Sequence, residues 1–128
     1  MAIHVVRLGS PRVPGEGVRI GTVRRPPRGV KKTDYASGDW YDTWLPELAP
    51  SEALVKVALA ARTPKQWAAF EKRYRRELTA PTAAHLLALL VLLSHRTTFS
   101  VGCYCEDETR CHRSILRQVL AELGARLP

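Results

Sequence analysis

The segment from Pro81 to Leu93 constrains the fold most, because it is apolar on every side except at His85. Pro81 stands at a first helical position, so the pattern predicts a helix, and a helix without a polar face predicts a central buried element. The near-continuous apolar run within it, Ala83 to Leu93, is too short to span a bilayer. Two helical patterns lead into this segment. Ser51 is an N-cap ahead of Glu52, opening a helix to about Ala60. Thr63-Pro64-Lys65-Gln66 has the form of a capping box with proline at the first helical position. The helix it opens carries Trp67, Phe70, Tyr74 and Leu78 on one face, while Lys72, Arg73, Arg75 and Arg76 lie mainly around the rest. Thr98 to Cys103 then reads as a strand. A last helix, about Cys111 to Leu123, buries Ile115, Leu116, Val119, Leu120 and Leu123 and stops at Gly124.

Upstream, residues 2–8 and Val18 to Val23 read as two more strands, separated by a loop rich in proline and glycine. Strands separated by long helical connections pair in parallel. The expected fold is therefore α/β: a small, mostly parallel sheet of about three strands with four helices packed on it. Residues 1–128 are expected to form one domain. Residues 24–50 show little regular pattern and are expected as a long loop, of the kind that in small domains is usually functional.

Charge locates a partner. The chain has 20 Lys plus Arg against 12 Asp plus Glu, a net charge of +8. Residues 1–33 hold 8 of these cations against 1 acid, whereas residues 34–128 hold 12 against 11. Arg24, Arg25, Arg28, Lys31 and Lys32 fall within nine residues with no acid among them, which calls for an anionic partner. Three cysteines lie between positions 103 and 111, an odd number in one cluster, unlike a secreted disulfide framework. Met1 to Leu8 lacks the basic start and small-residue cleavage site of a signal peptide. The expected compartment is the cytoplasm, with no membrane partner.

The chemistry is expected in residues 99–113, where a hydrophobic strand ends, a polar turn follows and a helix begins. Ligands in open α/β sheets bind at the carboxyl ends of strands, beside helix N-termini that attract anions and lower thiol pKa values. Cys111, flanked by Arg110, His112 and Arg113, has the setting of a reactive thiol, and Cys111 to Arg117 has the C-x5-R spacing of phosphate-binding thiol enzymes. The intervening residues lack the glycines of an open phosphate loop, however. Arg113 and Arg117 are four apart and share a helix face.

Cys103-x-Cys105-Glu106 followed by Cys111-His112-Arg113 resembles the cysteine/CHR signature of the domain-of-unknown-function 488 family. Pro27-Arg28-Gly29-Val30-Lys31-Lys32-Thr33-Asp34 resembles the basic loop of its YeaO-like branch. Trp44-Leu45-Pro46-Glu47-Leu48-Ala49-Pro50-Ser51 and the Phe70, Tyr74, Leu78 face are similar to it as well. The resemblance implies a small single-domain α/β protein of bacteria or archaea and imports no catalytic mechanism. Val23 and Pro26 stand where the branch usually has an acid and a tryptophan.

The leading expectation is a protein that binds a phosphate-bearing or other anionic ligand where the 103–113 turn meets the 24–32 loop. Arg28, Lys31, Lys32, Arg113 and Arg117 would supply charge, Cys111 or His112 would react, and Glu106 would be the nearby base. No cofactor is expected. One alternative is a non-catalytic nucleic-acid-binding accessory protein that uses the basic loop and the stacking surfaces of Tyr35, Trp40, Tyr41 and Trp44. A second is a structural zinc module with Cys103, Cys105, Cys111 and His112 as ligands. Against zinc, C-x-C is tighter than the usual C-x2-4-C, and adjacent helical residues diverge by about 100°.

Overall fold

The computed structural model describes residues Met1–Pro128. Its strands are β1 (Ile3–Arg7), β2 (Val18–Gly21), β3 (Thr43–Trp44) and β4 (Phe99–Cys103). Its helices are α1 (Glu52–Ala60), α2 (Pro64–Glu77), α3 (Pro81–Ser94) and α4 (His112–Glu122). The sheet runs β1-β4-β2-β3 and every pair is parallel. It is thus an α/β fold with four helices, but with four strands rather than about three. The extra strand pairs Thr43 and Trp44 with Ile20 and Gly21. Two residues ending at Leu45-Pro46 leave no alternation to read, so the strand stays hidden within the 24–50 segment.

Helix starts follow their local chemistry. The Ser51 hydroxyl accepts from the Leu54 N–H, and Thr63 and Gln66 complete both arms of a capping box. Prolines open α2 and α3, where a missing N–H costs nothing.

Register divides the sheet into two unlike faces. Ile3, Val5, Phe99, Val101 and Ile20 point to the helices, which bury Leu54, Phe70, Tyr74, Leu87, Ile115, Leu116 and Leu120 against them. His4, Ser100 and Arg19 lie side by side on the opposite face. That face is covered by the chain around residues 8–17 and 36–42. Its centre is a buried ion pair: Arg19 is 1% exposed, Glu16 is 2% exposed, and the guanidinium nitrogen stands 2.9 Å from the carboxylate.

The expectation that α3 is buried all round is corrected. Ala83, Leu87, Leu90 and Ser94 are buried, whereas His85 is exposed and Leu89 and Leu92 are 49% and 60% exposed. α3 buries only the stripe of Ala83, Leu87, Leu90 and Ser94 against the rest of the chain, and its outer face is left without cover. No single helix is long and apolar enough to cross a membrane.

Removing one member of a buried ion pair strands the other charge, at a cost of about 3–5 kcal/mol. Arg19→Met should therefore lower stability by that amount in urea denaturation followed by circular dichroism. The double variant Arg19→Met, Glu16→Gln should recover a large part of the loss. Equal losses in both proteins would show that the cost lies in the lost carbonyl contacts and not in the unpaired acid.

Candidate functional site

The carboxyl end of β4 carries the chemistry. Cys103 is its last residue, and the chain returns to α4 through a 3-10 turn at Glu108–Arg110. Two arginines of α4 clamp this return. Arg113, 4% exposed, donates to the Cys105 carbonyl at 2.9 Å and to the Cys103 carbonyl at 3.4 Å. Arg117 forms a two-pronged pair with Glu108 at 2.8 and 2.9 Å, which holds that carboxyl below its ordinary pKa. The cations placed by sequence on a ligand-facing helix surface are thus engaged in shaping the turn.

All three thiols are free, and they differ sharply. Cys103 and Cys111 are 4% and 2% exposed and pack with Leu8, Val23 and Tyr41, while Cys105 is exposed. The Cys103 and Cys105 sulfurs are 3.6 Å apart. The Cys105 thiol is lowered well below the ordinary range, above all because the Cys103 sulfur hydrogen-bonds to its thiolate. The same bond acts oppositely on the donor. Cys103 is raised to about 11 by its bond to Cys105, and Cys111 is raised by the neighbouring sulfurs and by burial. The sequence pointed to Cys111 as the activated sulfur; the structure buries it as the N-cap of α4 and exposes Cys105.

His112 is held beside them. Its Nε2 lies 2.6 Å from the Thr22 carbonyl, an acceptor only, so Nε2 carries the proton. Burial lowers its pKa, and Nδ1 faces the Cys111 sulfur at 4.0 Å. The Tyr74 ring meets the imidazole edge-on at 5.7 Å. Ligand atoms of Cys103, Cys111 and His112 lie within 4.8 Å of one another, so these three residues can hold a metal ion. Deprotonating two buried thiols would be the first cost of doing so.

Cys103, Cys105, Cys111 and His112 line a cavity of about 270 Å³, closed on the other side by Val55, Ala58 and Leu59 of α1 and by Phe70. Arg24, Arg25, Arg110 and Tyr104 complete its polar wall. Arg24 donates to the carbonyls of Pro50 at 2.9 Å and Ala49 at 3.1 Å, and Arg25 pairs with Glu52 across the opening. Arg110 makes no ion pair. A second cavity of about 390 Å³ is lined by Arg25, Pro26, Pro27, Arg28, Trp40 and Tyr104. Arg25 and Tyr104 belong to both walls, so the two cavities adjoin.

The structure therefore brings Cys111 and His112 to one cavity and Arg28 to its neighbour. Arg113 and Arg117 line neither cavity. Lys31 and Lys32 are exposed, line neither, and their side chains make no hydrogen bond. Glu106 is 3.7 Å from Arg7 with its side chain 86% exposed, and it lines neither cavity. Sequence reasoning took Cys105 only as a zinc-ligand candidate and Arg110 only as a flank of Cys111. The parity of β4 was the available signal for Cys105: Cys103 ends a strand buried at every position, and the chain turns outward immediately after it.

The exposed, hydrogen-bonded thiolate should be the first site of alkylation. Under limiting iodoacetamide, mass spectrometry should find Cys105 labelled well before Cys103 and Cys111. Its rate should hold up below pH 8, falling only as the pH drops through the lowered Cys105 pKa. Cys103→Ala should move that profile toward the ~8.5 of a free thiol. Equal labelling of all three cysteines would contradict this geometry.

Residues 3–124 match a family model described as the active DUF488-N3 subclade. The match covers most of the chain and carries the DUF488 resemblance, though not its YeaO-like branch. No curated protein and no solved structure matches the chain.

Proposed function

We propose that this chain, which belongs to the DUF488 family, binds a phosphate-bearing or other anionic ligand in the β4–α1 cavity and attacks it with the Cys105 thiolate. One observation carries the reading: of three clustered sulfurs, the one exposed on the cavity wall lies 3.6 Å from a buried thiol that can hydrogen-bond to its thiolate. A thiolate is the nucleophilic form of cysteine. Its lone pair forms the new bond to the electrophilic centre, and the leaving group departs with the electron pair of the bond that breaks. Water then releases the covalent adduct.

The surroundings suit an anionic substrate. Arg110 is unpaired at the cavity, and Arg24 and Arg25 add positive field at its rim. Arg113 is buried behind the turn with one N–H unpartnered, placing a fixed cation near the sulfur cluster. His112, neutral and tied to Thr22, holds the cavity wall in place and leaves proton transfer to solvent. The description of the matched subclade as active accords with a reacting group.

Inorganic phosphate tests the reading without a known substrate. At millimolar concentration it should slow Cys105 alkylation several-fold, and Arg110→Ala should weaken that protection by about tenfold in phosphate affinity, a typical value for one charged contact. Sulfate should mimic phosphate and chloride should not. Absence of protection by either oxyanion would overturn the anionic-ligand reading. Zinc at one equivalent in the untreated protein, with Cys105 unreactive until a chelator is added, would overturn the thiolate role in favour of a zinc module.

A further inference from the structure

We propose that the adjoining cavity is a platform for a planar aromatic ring, so that the anionic ligand is a mononucleotide or a close analogue. This inference rests on the reading of the β4–α1 cavity as the anion and thiolate end.

The second cavity combines two features that a bare phosphate does not need: an indole and a pair of guanidinium groups facing one space. Arginine and tryptophan both stack on planar rings, and aromatic faces accept any nucleobase. Trp40 and Tyr104 meet edge-on with centroids 6.2 Å apart, which leaves the indole available to a further ring. The Tyr104 hydroxyl donates to the Arg25 carbonyl at 2.5 Å, fixing the partition between the two cavities. Pro26 and Pro27 stiffen the opposite wall.

The indole is built into place. Asp39 immediately before it has φ 62°, the one non-glycine residue in the left-handed region. Such strain persists where surrounding contacts impose it, and it gathers at ligand sites. Here the Asp39 carbonyl accepts from Arg19 at 2.6 Å and from the Gly9 N–H at 2.9 Å, while its carboxylate meets Arg12 at 3.3 Å. The ring packs so closely on backbone that a Cβ at Gly9 would stand 2.9 Å from it and one at Gly38 3.1 Å. One side of the indole packs against the small cluster around Leu8 and Tyr41 and on two glycines, while the ring also lines an open cavity beside Arg28, which makes no ion pair.

Size and charge agree with a small ligand. Cavities of about 390 and 270 Å³ sharing a wall fall in the range of about 300–1,000 Å³ for small-molecule sites. The ring would lie against Trp40 and Arg28. The phosphate would lie toward Arg25 and Arg110, within the reach of Cys105.

Isothermal titration calorimetry of the whole protein tests this with adenosine and uridine monophosphates, ribose 5-phosphate, inorganic phosphate and a single-stranded oligonucleotide. Both nucleotides should bind at least tenfold more tightly than ribose 5-phosphate. Trp40→Ala should erase that margin, with its fold checked by circular dichroism. Arg28→Ala, at an exposed position, should weaken both nucleotides several-fold more than it weakens ribose 5-phosphate. Equal affinity for nucleotides and ribose 5-phosphate would overturn the ring platform and leave the anion site standing. Binding of the oligonucleotide alone would also overturn it. Failure of every phosphate-bearing probe, together with no phosphate protection of Cys105, would remove the anion reading on which it rests.

Discussion

The pairing of Arg19 with Glu16 is the interaction on which the rest of this structure depends. A small parallel sheet needs cover on both faces, and here all four helices serve one face. The other is closed by irregular chain, whose backbone polar groups need partners. Arg19 provides them: it donates to the carbonyls of Ser10, Asp39 and Pro11 while its Nε meets Glu16 at 3.1 Å. Glu16 in turn accepts from the Val13 N–H and the Ser100 hydroxyl, which joins the loop to the central strand. A hydrophobic pair of similar volume would match the stability of a buried ion pair. It would not tie down three carbonyls, and the strained backbone at Asp39 depends on one of those ties.

A comparable asymmetry organises the sulfurs. Three cysteines of equal intrinsic acidity become one thiolate and two thiols because burial and hydrogen-bond direction act together. Cys111 and Cys103 face Leu8, Val23 and Tyr41, where charge is costly, and the hydroxyl of Tyr41 itself is raised to about 12 by burial. Only Cys105 has solvent on one side and a buried sulfur donor, Cys103, on the other. The clamp of Arg113 and Arg117 on the turn is what keeps Cys105 at that boundary, so these cations act on the site through the backbone.

Much of the fold was legible from residues because local signals and tertiary packing agree. Ser51, Thr63 with Gln66, Pro64 and Pro81 mark helix starts, and the Trp67, Phe70, Tyr74, Leu78 stripe marks a buried face. The misread parts share a cause. Strand Thr43–Trp44 is too short to show a period, and the exposure of Leu89 and Leu92 depends on how many layers surround α3, which no local pattern records. The site was legible to the segment but not to the atom. The helix N-terminus that recommended Cys111 also buries it, because an N-cap beside a strand end points its side chain into the layer between them.

Charge makes the same point for the anion site. A net +8 concentrated before residue 34 suggests one continuous basic surface, yet several of those cations are already committed. Arg12 binds Asp39 and Asp42, Arg19 is buried, and Arg24 ties residues 49 and 50 to the segment that follows β2. The cations left over are few and separate. Lys31 and Lys32 stand in solvent, where they shape the approach of a charged partner and its salt dependence. Arg28 and Arg110, both exposed, stand on the walls of the two adjoining cavities. A polyanion would draw on all four through long-range attraction, whereas a single small phosphorylated molecule would need only the latter two. Their places on two cavities that share a wall favour the small ligand.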